Sequence, residues 1–243
     1  MDDLFDILDG NEPEPTPEVK VEEPKQEYVK KEYTNNNSKS DKKNLWEDEI
    51  DPVEINKDSL LRFNRMFAVA SHGEVPGETI LLIDQIAKSL HGKGFTFRYD
   101  GNALDKASTA GFNACKERSE IFLPWKSFNK ELTPKSYKPS EKAYGYASGM
   151  HKTFNKLPPA IKAILARNIH VLMGDDCNTP VNMLLIYTAD GAETKKDIKY
   201  ETTGNMAFFI FVCEALDIPV FNLKNADVKE RIITFLSSII REN

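Results

Sequence analysis

Cysteine is scarce in this chain of 243 residues: Cys115, Cys177 and Cys213 are all there are, and no CxxC pair occurs. An odd, scattered set supports neither a disulfide framework nor a zinc site and suits a reducing compartment. Histidine is nearly as rare. His91, His151 and His170 share no metal-ligand spacing, so they read as structural or surface groups. No apolar run reaches the length that crosses a bilayer, and the N-terminus lacks the basic-then-apolar order of a signal peptide. A cytoplasmic protein is expected, and no motif calls for a metal or a cofactor.

Acid, by contrast, is present and unevenly spread. Residues 1–54 hold 17 Asp/Glu against 7 Lys/Arg, whereas residues 55–243 hold 21 against 25. The remainder of the chain is therefore mildly basic, a balance that permits contact with nucleotides or nucleic acid without demanding it. Residues 1–58 are rich in Glu, Lys, Pro, Asn and Ser. They are expected to form a disordered acidic tail, since such a composition buries too little apolar surface to offset chain entropy. The first residues differ: Leu4, Phe5, Ile7 and Leu8 make an apolar face against Asp2, Asp3, Asp6 and Asp9, and Gly10 is placed to stop a helix. Residues 2–9 read either as a docking segment for a protein partner or as a solubilising tail with a chance apolar cluster. A second patch, residues 45–50, either docks likewise or packs back on the domain.

Residues 59–243 are expected to form one α/β domain. Residues 66–70 (MFAVA) and 183–187 (MLLIY) are continuous apolar runs of strand length, as for strands covered on both faces. Phe95, Phe97 and Tyr99 alternate with Thr96 and Arg98 in the period of a strand. Further strands are expected at 120–123 and 218–223, and helices from about Glu78, from Leu104, from Pro158-Pro159 to Leu172, at 205–216 and at 227–240. Residues 125–157 read as less regular, part of them a lid or insertion. Strands alternating with helices predict a Rossmann-like, open, mainly parallel sheet with helices on both faces. The passage through residues 95–112, strand to Asp100-Gly101-Asn102 turn to helix, is a device that presents backbone N–H groups to an anion; it is equally an ordinary strand-to-helix loop.

The order of segments across residues 66–224 resembles the phage-encoded branch of the superfamily that joins DNA-processing protein A to the lonely-guy cytokinin-activating proteins (SLOG), a Rossmann-like group. The matching pieces are Ala70-Ser71-His72, Arg98-Tyr99-Asp100-Gly101-Asn102-Ala103 with Asp105, Leu123-Pro124-Trp125, Ala166-Arg167-Asn168, Thr188-Ala189-Asp190-Gly191, Thr202-Thr203-Gly204-Asn205 and Pro219-Val220-Phe221-Asn222-Leu223. The resemblance implies a nucleotide-binding domain, in the host cytoplasm for a phage-encoded chain. The hydrolytic members of that group carry a glutamate in a Pro-Gly-Gly-x-Gly-Thr-x-x-Glu stretch. After Gly204 this chain reads Asn205-Met206-Ala207-Phe208-Phe209, with no carboxylate in register.

Turns that follow parallel strands meet at the carboxyl edge, where ligands bind. The candidate ligand-binding residues are therefore Ser71, His72, Gly73, Arg98, Asp100, Gly101, Asn102, Asp105, Arg167, Asn168, Asp190, Thr202, Thr203, Gly204 and Asn205. His72 either donates to a phosphate or is an exposed loop group. Arg98 either forks onto a phosphate or pairs with Asp105 or Glu120. Asp105 is also a plain dipole partner for its helix. Arg167 and Asn168 are expected to point into the cleft, because a core rejects an unpaired arginine. One of the threonines is explained by capping alone. Lys195, Lys196 and Lys199 form a basic loop, either a solvated face or a phosphate or nucleic-acid contact. Three functions follow: binding of a nucleotide or nucleotide-derived ligand without turnover, nucleotide phosphoribohydrolase-like cleavage with Glu201 or Asp190 as the carboxylate, or protein docking through the N-terminal segment with nucleic-acid contact by the domain.

Overall fold

The computed structural model describes residues 50–60 and 64–241. β1 (Met66–Ser71) is buried along its middle on both faces, and α1 (Gly77–Gly92) returns the chain to β2 (Thr96–Tyr99). α2 (Lys106–Cys115) leads to β3 (Ser119–Ile121); the helical hairpin α3 (Glu141–Met150) and α4 (Pro159–Met173) leads to β4 (Met183–Tyr187). A single turn, α5 (Tyr200–Thr203), precedes α6 (Met206–Leu216), β5 (Val220–Asn222) and α7 (Val228–Arg241). The strand order is β3-β2-β1-β4-β5 and every neighbouring pair is parallel. The chain is thus an α/β fold with a five-stranded parallel sheet, covered by helices on both faces.

Side chains alternate across each strand and split the core in two. Phe67, Val69, Phe97, Tyr99 and Leu185 pack with α1, α2 and α7. Ala68, Ala70, Leu184 and Ile186 pack with α3, α4 and α6. α6 is apolar nearly all round because it lies within that second layer. β1 leads outward to β2 and β3 on one side, and β4 then starts on the other side of β1. The winding reverses between β1 and β4, which opens a crevice above their carboxyl ends.

Several boundaries correct the sequence expectation. α2 starts at Lys106 rather than Leu104, since Asp105 is its N-cap and accepts from the Ser108 N–H at 3.0 Å. β3 ends at Ile121, beyond which Phe122 bridges to Ser136. Residues 125–157 contain a regular helix, α3, capped by the Ser140 hydroxyl. The domain also begins before residue 59. The Ile50 N–H donates to Asn155 Oδ1 at 3.2 Å and the Val53 N–H to the Gly145 carbonyl at 3.0 Å. Ile50, Ile55 and Leu60 pack against the α3–α4–α6 layer, so residues 50–58 are a strap on the domain rather than the end of a tail. The readings made for residues 1–49, the docking segment 2–9 included, lie outside the described residues.

Candidate functional site

Two polar networks and a narrow contact between them occupy the carboxyl edge. The first joins β1 to β2. The Ser71 N–H and hydroxyl both donate to Asp105, at 2.8 and 2.6 Å. Asp100 pairs with Arg167 at 3.0 Å and accepts from the Asn102 N–H at 2.9 Å. Arg167 also donates to the Asp100 carbonyl and lies over the Phe128 ring. Burial pushes the Asp105 carboxyl up to about 6, helped by the charge of Asp100, although the donors from Ser108 and Ser71 oppose the rise. Asp100, Asp105 and Arg167 are all buried, and their bonds are made within the network, except that Arg167 Nε has no partner.

Of the two readings of the turn at residues 95–112, the bonds favour the ordinary strand-to-helix loop. The N–H groups of Asn102, Leu104, Asp105 and Ser108 are taken by Asp100, Asn102, Asn102 and Asp105. Gly101 has φ +69°, and a Cβ there would fall 2.2 Å from Leu123 Cδ2. Its glycine is required by the positive φ and by close packing on Leu123.

Arg98 stands away from the crevice. It is 1% exposed, bonds Glu120 at 2.9 Å and donates to the Thr179 carbonyl. Of the alternatives for Arg98, the structure has the Glu120 pair. Arg167 and Asn168, expected to face the cleft, are each only 4% exposed. Arg167 escapes the penalty of an unpaired buried charge through Asp100, while Asn168 Oδ1 has no partner.

The second network joins β4, β5 and the turn before α6. Asp190 accepts from the hydroxyls of Thr188 at 2.6 Å and Thr202 at 2.8 Å, from the Thr203 hydroxyl, and from the Ala192 N–H at 3.3 Å. Burial would raise its pKa, but these donors outweigh burial and hold the carboxyl well below the usual range. Asn222 donates to Thr188 Oγ1 at 2.7 Å and to the Ala192 carbonyl at 2.9 Å. Glu193 accepts from the Asn222 N–H at 2.6 Å, from Asn225 at 3.0 Å and from Arg231. A polar recess of about 490 Å³ lies here, bordered by Asp190, Glu193, Lys196, Lys199 and Asn225. Glu193, Asn225 and Arg231 were not singled out from the sequence. Asn222, within Pro219-Val220-Phe221-Asn222-Leu223, and Thr188, within Thr188-Ala189-Asp190-Gly191, lay in noted motifs without being named as site residues.

Between the networks, the loops after β1 and before α6 touch. The His72 N–H donates to the Tyr187 carbonyl at 3.0 Å, which fixes the loop over β4. A Cβ on Gly204 would lie 2.3 Å from His72 Nε2, so the imidazole rests on bare glycine backbone. Gly204 has φ 56° and ψ −139°, a conformation that only glycine adopts readily. Beside it lie the N-cap residues of α6 and α1, Asn205 and Pro76, neither of which makes a side-chain capping bond. Gly73, at φ +81°, faces open space. Two uncapped helix N-termini therefore flank the His72–Gly204 contact, and such ends attract anions.

Of the residues singled out from the sequence, the structure brings His72, Gly73, Thr202, Thr203, Gly204, Asn205 and Asp190 to this part of the edge. Ser71, Asp100, Asn102 and Asp105 adjoin it but are bonded to one another's groups, and Arg98, Arg167 and Asn168 lie beneath. Among the described residues, no group of three or more His, Cys, Asp or Glu side chains is placed to hold a metal ion. Comparison with known protein families, curated proteins and solved structures returned no match.

Proposed function

We propose that this chain binds a nucleotide or nucleotide-derived anion above the carboxyl ends of β1 and β4 and holds it without turnover. The observation that carries the reading is the convergence, at the reversal of strand order, of the His72-Gly73 loop with the Thr203-Gly204-Asn205 turn between two uncapped helix ends. Phosphate oxygens are suited to such N–H groups, and the imidazole of His72 supplies a further donor. Lys196 and Lys199 border the neighbouring recess together with Asp190, Glu193 and Asp197, so the N–H groups and His72 carry the reading rather than these lysines. The order of motifs resembling the phage-encoded DNA-processing protein A and lonely-guy group supports the same ligand class, and with it a cytoplasmic setting.

Absence of turnover rests on the carboxylates. Breaking an N-glycosidic bond calls for a group that stabilises positive charge on the sugar or activates water. Asp190 is already occupied by three hydroxyls and an N–H, and the first turn of α6 offers buried Met206, Phe208 and Phe209. Glu201 is exposed on α5, the carboxylate on which a phosphoribohydrolase would have to rely.

The test is thermal unfolding of the full chain with a panel of nucleoside monophosphates, diphosphates and nicotinamide dinucleotide, with free base followed by chromatography. A ligand at 100 times its Kd stabilises by about 2.7 kcal/mol, which raises Tm by roughly 5–10 °C in a domain of this size. The rise should vanish in His72→Ala and Gly73→Val. An undiminished rise in both variants places the ligand elsewhere, and base release abolished by Glu201→Gln makes the protein an enzyme.

A further inference from the structure

We propose that the acidic N-terminal segment, residues 2–9, docks in cis into a groove on the outer face of α4 and α6. The groove has a volume of about 1380 Å³. Leu157, Ile161 and Leu165 of α4 and its approach line one side, and Phe208, Phe211 and Ala215 of α6 line the other. Val53 and Ile55 of the strap close it along one wall, and Val53 and Ile161 remain 43% and 42% exposed. At one end the groove reaches Gly204 and Asn205 of the proposed anion site, but docking rests only on the apolar residues of α4 and its approach, α6 and the strap, and on Lys152 and Lys195.

Three observations select this occupant. The first is the path of the chain. The described residues begin at Ile50, which is held by the Ser148 hydroxyl at 3.0 Å and by Asn155 at 3.2 Å. Residues 149–153 lie between those two anchors and line the groove, and Pro52, Val53, Glu54 and Ile55 follow as its wall. The 40 residues from Gly10 to Glu49 thus join the structure beside the groove. A chain of that length reaches up to about 130 Å when extended and roughly 35 Å on average as a coil, so reach sets no limit. Tethering also places the segment at an effective concentration on the order of millimolar.

The second is apolar complementarity. Leu4, Phe5, Ile7 and Leu8 fall at the i, i+1, i+3 and i+4 positions of one helical face, the arrangement by which a short amphipathic helix lies in an apolar groove.

The third is charge. The segment has Asp2, Asp3, Asp6 and Asp9 and no basic residue, and residues 55–243 carry 25 Lys/Arg against 21 Asp/Glu. Lys152 and Lys195 stand on the groove, with Glu54 the acidic residue there. Lys195 also pairs with Glu214 at 3.5 Å, both side chains being nearly half exposed; such a pair is weak enough to be exchanged for a new carboxylate. A segment docked this way is withheld from any other protein, so occupancy of the groove and docking on a partner exclude each other.

The test uses the full chain with Phe5→benzoylphenylalanine, irradiated at low concentration and mapped by mass spectrometry. Intramolecular cross-links to residues 149–153, Ile161 or Phe211 are expected. Their yield should fall at least fivefold in Ile161→Glu and in Lys152→Glu, both exposed positions at which circular dichroism should report an unchanged fold. Cross-links confined to other surfaces, cross-links between two chains, or an undiminished yield in both variants would overturn the proposal.

Discussion

Arg98 and Glu120 form an ion pair whose two halves are unequally replaceable. Arg98 is 1% exposed and Glu120 16%, with 2.9 Å between Nε and Oε2. Glu120 has a second cation, the half-exposed Lys135, whereas the other acceptors of Arg98 are the carbonyls of Leu172 and Thr179. Glu120→Ala therefore leaves a buried guanidinium without a carboxylate, a loss of about 3–5 kcal/mol. Arg98→Met removes the buried charge itself, keeps the volume and leaves Glu120 paired with Lys135. The Leu172 carbonyl still accepts from the Val181 N–H at 2.8 Å, so the Thr179 carbonyl is the group that loses its donor, a loss of about 1–3 kcal/mol. Urea unfolding at neutral pH should place Glu120→Ala about 2 kcal/mol below Arg98→Met at equal slope. The double variant should match Arg98→Met rather than the sum of the two. Equal losses, or additive ones, would refute the reasoning that burial of the guanidinium makes the pair asymmetric.

The remaining predictions concern the carboxyl edge. Burial lifts the Asp105 pKa to about 6. An acid with a folded pKa above its unfolded value favours folding most at low pH and loses that advantage as pH rises through the folded value. Relative to Asp105→Asn, the wild type should lose up to about 3 kcal/mol between pH 4 and pH 6.5; a flat difference would mean that the carboxylate is solvated. At Gly101 a Cβ would meet Leu123 at 2.2 Å, whereas at Gly73 it would meet nothing within 4 Å. Gly101→Ala should therefore destabilise by about 2–4 kcal/mol and Gly73→Ala by only about 1 kcal/mol, and equal losses in thermal unfolding would contradict the packing account of Gly101.

The sheet was legible where burial makes the pattern local. The MFAVA and MLLIY runs became β1 and β4 because both of their faces are covered. α3 was not, since Gly145, Ser148 and Gly149 dilute its apolar stripe. Their reason is distant in sequence. A Cβ on Gly145 would meet Val53 Cγ2 at 2.6 Å, and one on Gly149 would meet the Val53 carbonyl oxygen at 2.9 Å. The glycines let the strap lie directly on the helix. Arg167 misled for the same cause: it read as a cleft group because an unpaired arginine is excluded from a core, but Asp100 lies 67 residues away and neutralises it, whereas the Glu120 pair of Arg98 was among the open alternatives. The Asp190 threonines were visible as polar residues at a turn, yet their convergence on a single carboxylate depends on how α5 folds over β4. The contact of His72 with Gly204 likewise bridges two loops that only the sheet order brings together.

Native mass spectrometry of the full chain purified from expressing cells tests the ligand-binding account most directly. The account predicts a species heavier than the 27.6 kDa chain by one nucleotide-sized ligand, released on denaturation and depleted in His72→Ala. A wild-type chain that runs at its bare mass and takes up no nucleotide when the panel is added would contradict it.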